Sequence, residues 1–358
     1  MLFGDVYRGR RVLVTGHTGF KGSWLAAWLE KLGAELLGIS LPPKDSPNHF
    51  ELIRFRGGTR FVDLRDRAAL AAAVREFAPE IVFHLAAQAL VLPSYENPVE
   101  TFATNVMGTL HLLDALRSVP ECRAAVIVTS DKCYENRESG VPFREGDPLG
   151  GGDPYSASKG CAEIAVASWR RSFLASPGAP LAATARAGNV VGGGDWAAHR
   201  LIPDLARAAA EGRVEVLRRP KAVRPFQHVL DPLAGYLELG RRLWSGDASA
   251  ASAWNFGPPA GSELTVERAA ELFAAGWSAV RCSCAGDPGT PPEASLLRLD
   301  PGRAERELGI RNLWSAERCF ERTARWYRDF YASGTVDTAD DLEEFEREAV
   351  RQGAPWTR

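Results

Sequence analysis

The sequence has almost no excess of charge and no long apolar run. Its 358 residues carry 43 Lys and Arg against 45 Asp and Glu, a formal net charge of −2. This balance argues against a nucleic-acid-binding or membrane-surface protein. A membrane-spanning helix needs about 18 consecutive apolar residues, and no stretch approaches that length. The N-terminal residues lack an apolar core followed by a small-residue cleavage site, so we expect no secretion signal.

Paired metal-ligand spacings are also missing. The chain has six cysteines and six histidines. Cys282 and Cys284 are only two positions apart, and no histidine pair accompanies them. We therefore expect no bound metal, and we interpret the cysteines as reduced thiols of a cytoplasmic protein.

Short apolar runs alternate with amphipathic helical patterns along most of the chain. The predicted strands are residues 11–15, 35–40, 61–64, 81–85, 124–128 and 182–187, and the main predicted helices are 23–32, 66–77, 99–116, 155–173 and 316–331. This alternation predicts an α/β fold, a doubly wound parallel sheet of Rossmann type with right-handed crossovers.

The order of these patterns predicts two closely joined parts. Residues 1–180 are expected to form a dinucleotide-binding domain, to which strand 181–188 and a segment around 224–258 also contribute. Residues 189–335 are expected to form mainly a smaller substrate-binding lobe. The acidic tail, 336–358, is expected to carry a helix with a solvated face.

A glycine-rich turn follows the first strand directly and opens the first helix. Such a turn lets backbone amides approach a pyrophosphate at the positive end of the helix. The spacing is G-x-x-G-x-x-G, and the alternative is a turn that only packs tightly. The candidate cofactor contacts in this turn are Gly16, His17, Thr18, Gly19, Phe20, Lys21 and Gly22.

The ends of the next strands supply further candidate cofactor contacts. An acidic residue at the end of the second strand would grip the adenosine ribose of NAD, but Ser40 stands there. The sequence therefore leaves NAD or NADP open. Asp63, followed by Leu64, is placed to accept from the adenine amino group or to cap the next helix.

The fourth strand ends in small residues beside which a flat ring can lie close to the backbone. The candidate contacts here are Leu85, Ala86, Ala87 and Gln88. Asn105 is a polar residue among apolar neighbours in the next helix. It is either satisfied by backbone groups in the core or supports the active site.

The fifth strand leads into the stretch around which the chemistry is organised. Tyr155 and Lys159 are four positions apart at the start of a helix, so both side chains lie on one face. An ammonium beside a phenol favours the phenolate and lowers the tyrosine pKa. Ser130, Asp131 and Lys132 follow the fifth strand and are expected to face that tyrosine across one crevice.

Glycines beside a tryptophan suggest a second ligand contact in the segment that begins at Gly188. Further on, Arg224 and His228 are the expected polar contacts of the second lobe. An arginine suits a diphosphate because its guanidinium is planar and always charged. The alternative for Arg224 is a surface ion pair.

Six motifs in one order carry a resemblance to a known family. They are VTGHTGFKG, TSDKCYEN, DPYSASK, GNVVGGGDW, LIPD and RPFQHVLD. From about Arg11 to Tyr331 the chain resembles the extended short-chain dehydrogenase/reductases, and within them most closely the sugar-nucleotide 4,6-dehydratases that act on CDP-glucose. Lysine in TSDKCYEN, where most such dehydratases have glutamate, is the narrower marker.

The resemblance implies oxidation, water elimination and re-reduction of a nucleotide sugar on one bound NAD. Tyr155 would take the proton of the carbon 4 hydroxyl, Ser130 would hydrogen-bond the carbon 4 oxygen, and Asp131 would protonate the departing carbon 6 hydroxyl. Lys132 would take the carbon 5 proton, or would only steady the enolate. The implied site also includes Thr129 toward the cofactor and Ser94, Asn189, Trp196, Arg200 and Leu201 toward the substrate.

Two other functions remain open at this point. An epimerase or reductase of the same superfamily would share the first half of the chemistry, and a catalytically silent dinucleotide-binding protein would share only the fold. The resemblance also implies a homodimer, in which helices 99–116 and 155–173 pair with their copies in a four-helix interface.

Overall fold

A computed structural model of the chain describes residues 1–44, 46–174, 176, 178–284 and 296–358. Its strands are β1 Arg11–Thr15, β2 Glu35–Ser40, β3 Gly58–Phe61, β4 Ile81–His84, β5 Ala124–Val128, β6 Leu181–Ala187, β7 Val190–Val191, β8 Glu215–Leu217, β9 Val223–Arg224, β10 Gln227–His228, β11 Ala253–Phe256, β12 Leu264–Thr265 and β13 Cys282–Cys284. Its α-helices are α1 Phe20–Lys31, α2 His49–Leu52, α3 Arg67–Phe77, α4 Val91–Glu96, α5 Pro98–Phe102, α6 Gly108–Leu116, α7 Pro154–Ser172, α8 Leu201–Ala210, α9 Leu230–Trp244, α10 Val266–Gly276, α11 Ala316–Ser333 and α12 Thr338–Arg351. None of the helices in these ranges is long and apolar enough to cross a membrane.

Seven strands form one central sheet in the order β3-β2-β1-β4-β5-β6-β11. Every neighbouring pair is parallel. The predicted doubly wound sheet is confirmed. The strand order reverses between β1 and β4, and a ligand crevice is expected at the carboxyl ends of strands on either side of such a point.

Side chains of each central strand alternate between two hydrophobic cores, because successive residues of a strand point to opposite faces. On β5, Val126 and Val128 join the core that contains α1, α9 and α11, whereas Ala125 and Ile127 join the core that contains α3 and α6. A sheet covered on both faces explains why these strands read as continuous apolar runs rather than as alternating patterns.

Most predicted elements differ from the structure by one to three residues at their ends, and two differ more substantially. The third strand ends at Phe61 rather than Leu64, because the chain turns after this edge strand toward the Asp66 cap of α3. The predicted helix 99–116 consists of α5, a π-helical turn over Ala103–Met107 and α6. Asn105 lies in that turn, and π-helical turns are frequent at functional sites.

The acidic tail forms the predicted helix, α12, and this helix has a buried face as well as a solvated one. Phe345 of α12 is fully buried, and its ring packs edge-on against Trp28 of α1. Asp341 is also buried and forms an ion pair with Arg322 of α11. The prediction missed the buried face because the acidic residues alternate with an apolar stripe at helical spacing that covers the domain core.

Candidate active site

The glycine turn between β1 and α1 packs so tightly that side chains would not fit at two of its positions. A Cβ atom on Gly16, where φ is +77°, would lie 2.6 Å from the backbone nitrogen of Ala86, and one on Gly22 would lie 2.0 Å from the Gly16 oxygen. Helix α1 begins at Phe20 after Gly19, with no side-chain cap and no acidic residue in its first turn. The amides of that turn therefore suit an anionic group.

The end of β2 offers hydroxyls where an acid was expected. The Ser40 hydroxyl is buried and lies 2.8 Å from the Thr18 hydroxyl, which also donates to the Leu41 carbonyl over 3.0 Å. Asp63 instead forms a 2.6 Å ion pair with Arg65, and this hydrogen bond lowers the pKa of Asp63. The Asp63 carboxylate is thus engaged by an arginine.

The alternative role of Asp63 as a helix cap is not what the structure shows. Asp66 caps α3 by accepting from the Ala69 amide over 2.9 Å. The neighbouring Leu64 is buried against Gly108, where a Cβ atom would lie 2.8 Å from the Leu64 Cβ.

The imidazole of His17 lies away from the crevice. It is fully buried over Gly38, its Nε2 atom is 3.2 Å from the Thr59 hydroxyl, and it packs against the rings of Phe50 and Phe55. Burial lowers the pKa of His17 to about 4. The prediction of a cofactor contact therefore does not hold for this side chain.

A hydrogen-bonded loop follows β4 and fixes the wall of the crevice. Leu85 and Ala86 continue beside β1, the Leu85 amide donating to the Thr15 carbonyl over 3.0 Å. Ala87 is partly buried. The Gln88 amide donates to the Asn105 side chain over 2.8 Å.

Asn105 joins this loop to helix α7. It donates to the Gln88 carbonyl over 3.0 Å and to the Ser158 hydroxyl of α7 over 2.8 Å. Both alternatives for Asn105 are therefore met together: backbone groups satisfy it, and it ties the β4 loop to the helix that carries Tyr155 and Lys159.

Tyr155 and Ser130 meet as predicted, but the predicted pKa of the phenol is wrong. Tyr155 is buried on the first turn of α7, and the Ser130 hydroxyl is among the groups that act on the pKa of its phenol. Burial raises the pKa of Tyr155 to about 12, opposed by the Ser130 hydrogen bond and the Arg200 charge. Desolvation of the phenolate outweighs the attraction of the neighbouring cations.

Lys159 lies one turn below Tyr155 and is equally buried. Its ammonium donates to the carbonyl of Val128, the last residue of β5, over 3.4 Å. Burial lowers the pKa of Lys159 to about 8, opposed mainly by the Glu163 carboxylate. The amine is therefore easier to deprotonate than an ordinary lysine.

Asp131 is a buried carboxyl with one uncommitted oxygen. Its Oδ1 atom accepts from the Ser130 hydroxyl over 2.9 Å, while Oδ2 is buried without a hydrogen-bond partner among the described residues. Burial raises the pKa of Asp131, opposed first by the charge of Lys132. A carboxyl whose burial favours the protonated form suits a general acid.

Cations converge on this carboxyl from the glycine turn and from the second lobe. The charges of Lys21 and Arg224 both act on Asp131. Burial lowers the pKa of Lys21 to about 8, and Arg200 contributes to that lowering. Arg200 donates to Asp195 over 2.9 Å and also acts on Tyr155. Lys21 therefore brings a side chain, as well as its amide, to the crevice.

The remaining predicted substrate contacts divide into two groups. Asn189 and Leu201 are partly buried; Asn189 lies between β6 and β7, and Leu201 is the first residue of α8. Trp196 is buried among Trp326, Tyr327 and Phe330, and its indole donates to the Tyr331 hydroxyl over 3.0 Å. Its ring is therefore part of an aromatic cluster.

Two predicted substrate contacts are wrong. The Ser94 hydroxyl is fully buried, donates to the Val91 carbonyl over 2.6 Å and accepts from the Tyr155 amide over 3.1 Å. It therefore fixes the start of α7. His228 is fully buried between Trp24 and Trp314, because its β-strand faces the core rather than the crevice.

The sequence analysis missed a buried ion pair directly behind the site. Glu163 of α7 and Arg186 of β6 are both almost fully buried, with 2.8 Å between Oε2 and Nη2. A signal was present, since Glu163 lies four positions after Lys159 and Arg186 interrupts an apolar strand. Thr129, predicted to contact the cofactor, donates its hydroxyl to Glu163 over 2.5 Å.

The parallel sheet, its glycine turn and the Tyr155–Lys159 pair beside it define an extended short-chain dehydrogenase/reductase. More particularly, the chain belongs to the NAD dependent epimerase/dehydratase family, whose sequence profile matches residues 12–251. It is 43% identical to the CDP-glucose 4,6-dehydratase of Salmonella typhimurium, over 92% of this chain and 93% of that enzyme.

Solved structures share the fold. A dTDP-glucose 4,6-dehydratase from Streptomyces venezuelae, solved with NAD, is 26% identical with a TM-score of 0.75, covering 89% of this chain and 97% of that chain. A UDP-glucose 4-epimerase from Stenotrophomonas maltophila, also solved with NAD, is 23% identical with a TM-score of 0.79. The match covers 90% of this chain and 99% of that chain.

Proposed function

We propose that the chain is an NAD-dependent CDP-glucose 4,6-dehydratase, which converts CDP-glucose to CDP-4-keto-6-deoxyglucose with loss of one water. The observation that carries the proposal is the meeting of Tyr155, Ser130 and Asp131 in one buried cluster. Ketone formation alone needs one base, whereas elimination also needs an acid. The 43% identity to the Salmonella enzyme supports the same substrate.

The turn at the start of α1 fits a dinucleotide pyrophosphate. Its glycines leave no room for side chains, and the helix N-terminus has uncapped amides with Lys21 in the first turn. The Thr18 and Ser40 hydroxyls lie on the adenosine side, at the end of β2. Ala86 and Ala87 leave a flat wall where β4 ends. When bound, NAD supplies the acceptor and later the donor of one hydride.

Tyr155 is the proposed base that takes the proton of the carbon 4 hydroxyl. Its pKa of about 12 in the protein's own field is too high for this role. A positive charge bound beside the phenol would lower that pKa, as Arg200 already does. Ser130 is placed to hold the carbon 4 oxygen while the proton moves.

Asp131 is the proposed acid for the departing carbon 6 hydroxyl. Its unpartnered Oδ2 atom points toward Gly188, where a Cβ atom would lie 3.1 Å away. The ketone at carbon 4 makes the carbon 5 hydrogen acidic, so an ordinary side chain can remove it. Lys132, partly buried next to Asp131, is the proposed group for that proton, acting as base or by steadying the enolate.

Arg200 and Arg224 are the proposed partners of the substrate diphosphate. The charge of Arg200 lowers the pKa of Tyr155, and the charge of Arg224 lowers the pKa of Asp131. Arg200 is held by Asp195, which fixes its orientation at the start of α8. We keep Asn189 and Leu201 as proposed substrate contacts on the same side of the crevice.

The proposal is tested by incubating the protein with NAD and CDP-glucose while following product mass and absorbance in the NADH band. A product lighter by one water, without accumulated NADH, is expected. Accumulated NADH would instead indicate a dehydrogenase. A product of unchanged mass that is a new stereoisomer would indicate an epimerase. Cofactor-dependent stabilisation without turnover would leave a silent dinucleotide-binding protein. A panel of CDP-, dTDP- and GDP-glucose then fixes the nucleotide.

The proposal includes a homodimer through the two predicted helices. Val99, Met107 and Ile164 are 82%, 47% and 57% exposed on the outer faces of α5, the π-helical turn and α7. Apolar side chains exposed together on adjoining helices are typical of an interface. A four-helix arrangement with a second copy would cover all three.

We also propose the division into a dinucleotide-binding domain and a smaller lobe, and a cytoplasmic location. The described strands beyond residue 188 support the division: β11 returns to the central sheet, whereas β8, β9, β12 and β13 form separate two-stranded sheets. Free thiols at all six cysteines suit a reducing compartment. Expression of a fluorescent fusion checks the location.

A further inference from the structure

Glu163 is a buried carboxylate that the proposed mechanism does not use. It lies four residues after Lys159 on α7, which places it on the helical face that also carries Tyr155. Its side chain is 2% exposed. Burying an ionised carboxylate is costly unless it is paired and hydrogen-bonded, and Glu163 meets this condition through the partners described next.

The hydrogen-bond partners of Glu163 come from two parts of the chain, the segment that follows β5 and strand β6. Its Oε1 atom accepts from the hydroxyl of Thr129, the residue before Ser130, over 2.5 Å. Its Oε2 atom accepts from the Thr184 hydroxyl over 2.7 Å and from the Arg186 guanidinium over 2.8 Å, both on β6. The carboxylate thus joins the helix that carries the base to the segment that carries Ser130 and Asp131.

We propose that Glu163 is a positioning residue of the active site, which keeps Lys159 in its ammonium form and fixes the Thr129–Ser130 segment against α7. The inference rests on the proposed function, because it assigns Lys159 its role beside Tyr155. It gives the buried carboxylate an electrostatic task in addition to a structural one.

The charges around the two groups support this division of tasks. Glu163 and the Cys133 thiol, which follows β5, both raise the pKa of Lys159. The charge of Lys159 in turn lowers the pKa of Lys21 on α1 and of His84 on β4. Glu163 is the only carboxylate among the described groups that contribute to the pKa of Lys159. Without it, burial would favour the neutral amine.

Glu163 in turn is held ionised by its own partners. Arg186 lies in direct contact, and the Thr129 and Thr184 hydrogen bonds add to its effect, so the pKa of Glu163 is lowered despite burial. Arg170, about two turns further along α7, also interacts with Glu163. The carboxylate therefore stays charged over the range in which Lys159 titrates.

The test compares three variants by the pH profile of kcat/KM for CDP-glucose. Glu163→Gln is expected to move the alkaline limb to lower pH by about one unit, since one opposite charge beside an amine shifts its pKa by about one to three units. Glu163→Asp keeps the charge and is expected to leave the limb in place. Thr184→Val removes one hydrogen bond without changing charge, so it should lower the melting temperature but not move the limb.

A purely structural role for Glu163 predicts a different result. In that case Glu163→Gln would behave as Thr184→Val does, with lowered stability and an unmoved pH profile, and the proposal would be overturned. Should Glu163→Gln fail to fold because Arg186 is left without its anion, the double variant with Arg186→Gln removes both charges together. Its alkaline limb is still expected at lower pH than that of the wild type.

A direct titration separates this inference from the proposed reaction. Reductive ¹³C-methylation of the lysines, with the Lys159 signal assigned by Lys159→Arg, reports the pKa of the amine without any turnover. A lower pKa in Glu163→Gln supports the inference even if CDP-glucose is not the substrate. An unchanged pKa in an active enzyme overturns the inference and leaves the proposed function standing.

Discussion

The Ser130 hydroxyl donates to Asp131 Oδ1 over 2.9 Å and also lowers the pKa of the Tyr155 phenol. A hydroxyl has one proton to donate. While Ser130 donates to an ionised Asp131, it is left to accept from the phenol. Once Asp131 is protonated, Ser130 is free to donate to a phenolate. The two catalytic groups are therefore coupled, and a protonated acid favours an ionised base.

Removal of the Tyr155 hydroxyl should strongly reduce turnover while preserving the fold. Tyr155→Phe deletes only the hydroxyl of a buried ring, and we expect kcat to fall by about 10²- to 10⁴-fold, the usual contribution of a general acid–base group. Turnover of CDP-glucose and the thermal midpoint are measured together. A variant of unchanged stability and near wild-type activity would remove Tyr155 from the mechanism.

Replacement of the acid should stop the reaction after the first oxidation. Asp131→Asn keeps the shape but cannot protonate the departing hydroxyl, so formation of the dehydrated product should fall by about 10²- to 10⁴-fold. NADH is then expected to accumulate up to the enzyme concentration in a stopped-flow trace. Loss of both oxidation and elimination at equal stability would show that Asp131 is needed before the hydroxyl leaves.

The alternating strands and helices, the glycine turn and the Tyr155–Lys159 pair were accessible from the sequence because each is a local pattern with a fixed geometric consequence. The pKa of Tyr155 was not, since it depends on how completely the folded chain excludes water. His228 was misassigned for a related reason: its polar neighbours in sequence do not show that the side chain points between Trp24 and Trp314. Burial by distant elements is the information that local patterns lack.

Asp231 should make the protein less stable as pH rises through the weakly acidic range. Burial raises the pKa of Asp231 to about 7, and its Oδ2 atom has no partner among the described residues. Between its unfolded pKa of about 4 and the folded value, the native state binds more protons than the unfolded state. Stability from this group is therefore present below pH 4 and declines until about pH 7.

The variant Asp231→Asn removes that decline. Its free energy of unfolding relative to the wild type should rise by about 2 to 3 kcal/mol from pH 5 to pH 8, at about 1.4 kcal/mol per unit. Urea unfolding followed by tryptophan fluorescence measures both proteins at both pH values. The exposed Glu121→Gln serves as the control and should show no such change. A parallel pH dependence of Asp231→Asn and wild type would contradict the prediction.

The dimer proposal makes a prediction about a single apolar side chain. Ile164 is 57% exposed on α7, and a glutamate there would place a charge in the centre of the proposed four-helix interface, where an unpaired charge is costly. Ile164→Glu is therefore expected to have the monomer mass of 38.9 kDa in light scattering at micromolar concentration, whereas the wild type is expected to have twice that mass. The matched control is Val214→Glu, which alters a 50% exposed valine in the second lobe and should stay dimeric. A monomeric wild type, or a dimer that survives Ile164→Glu unchanged, would place the association elsewhere or rule it out.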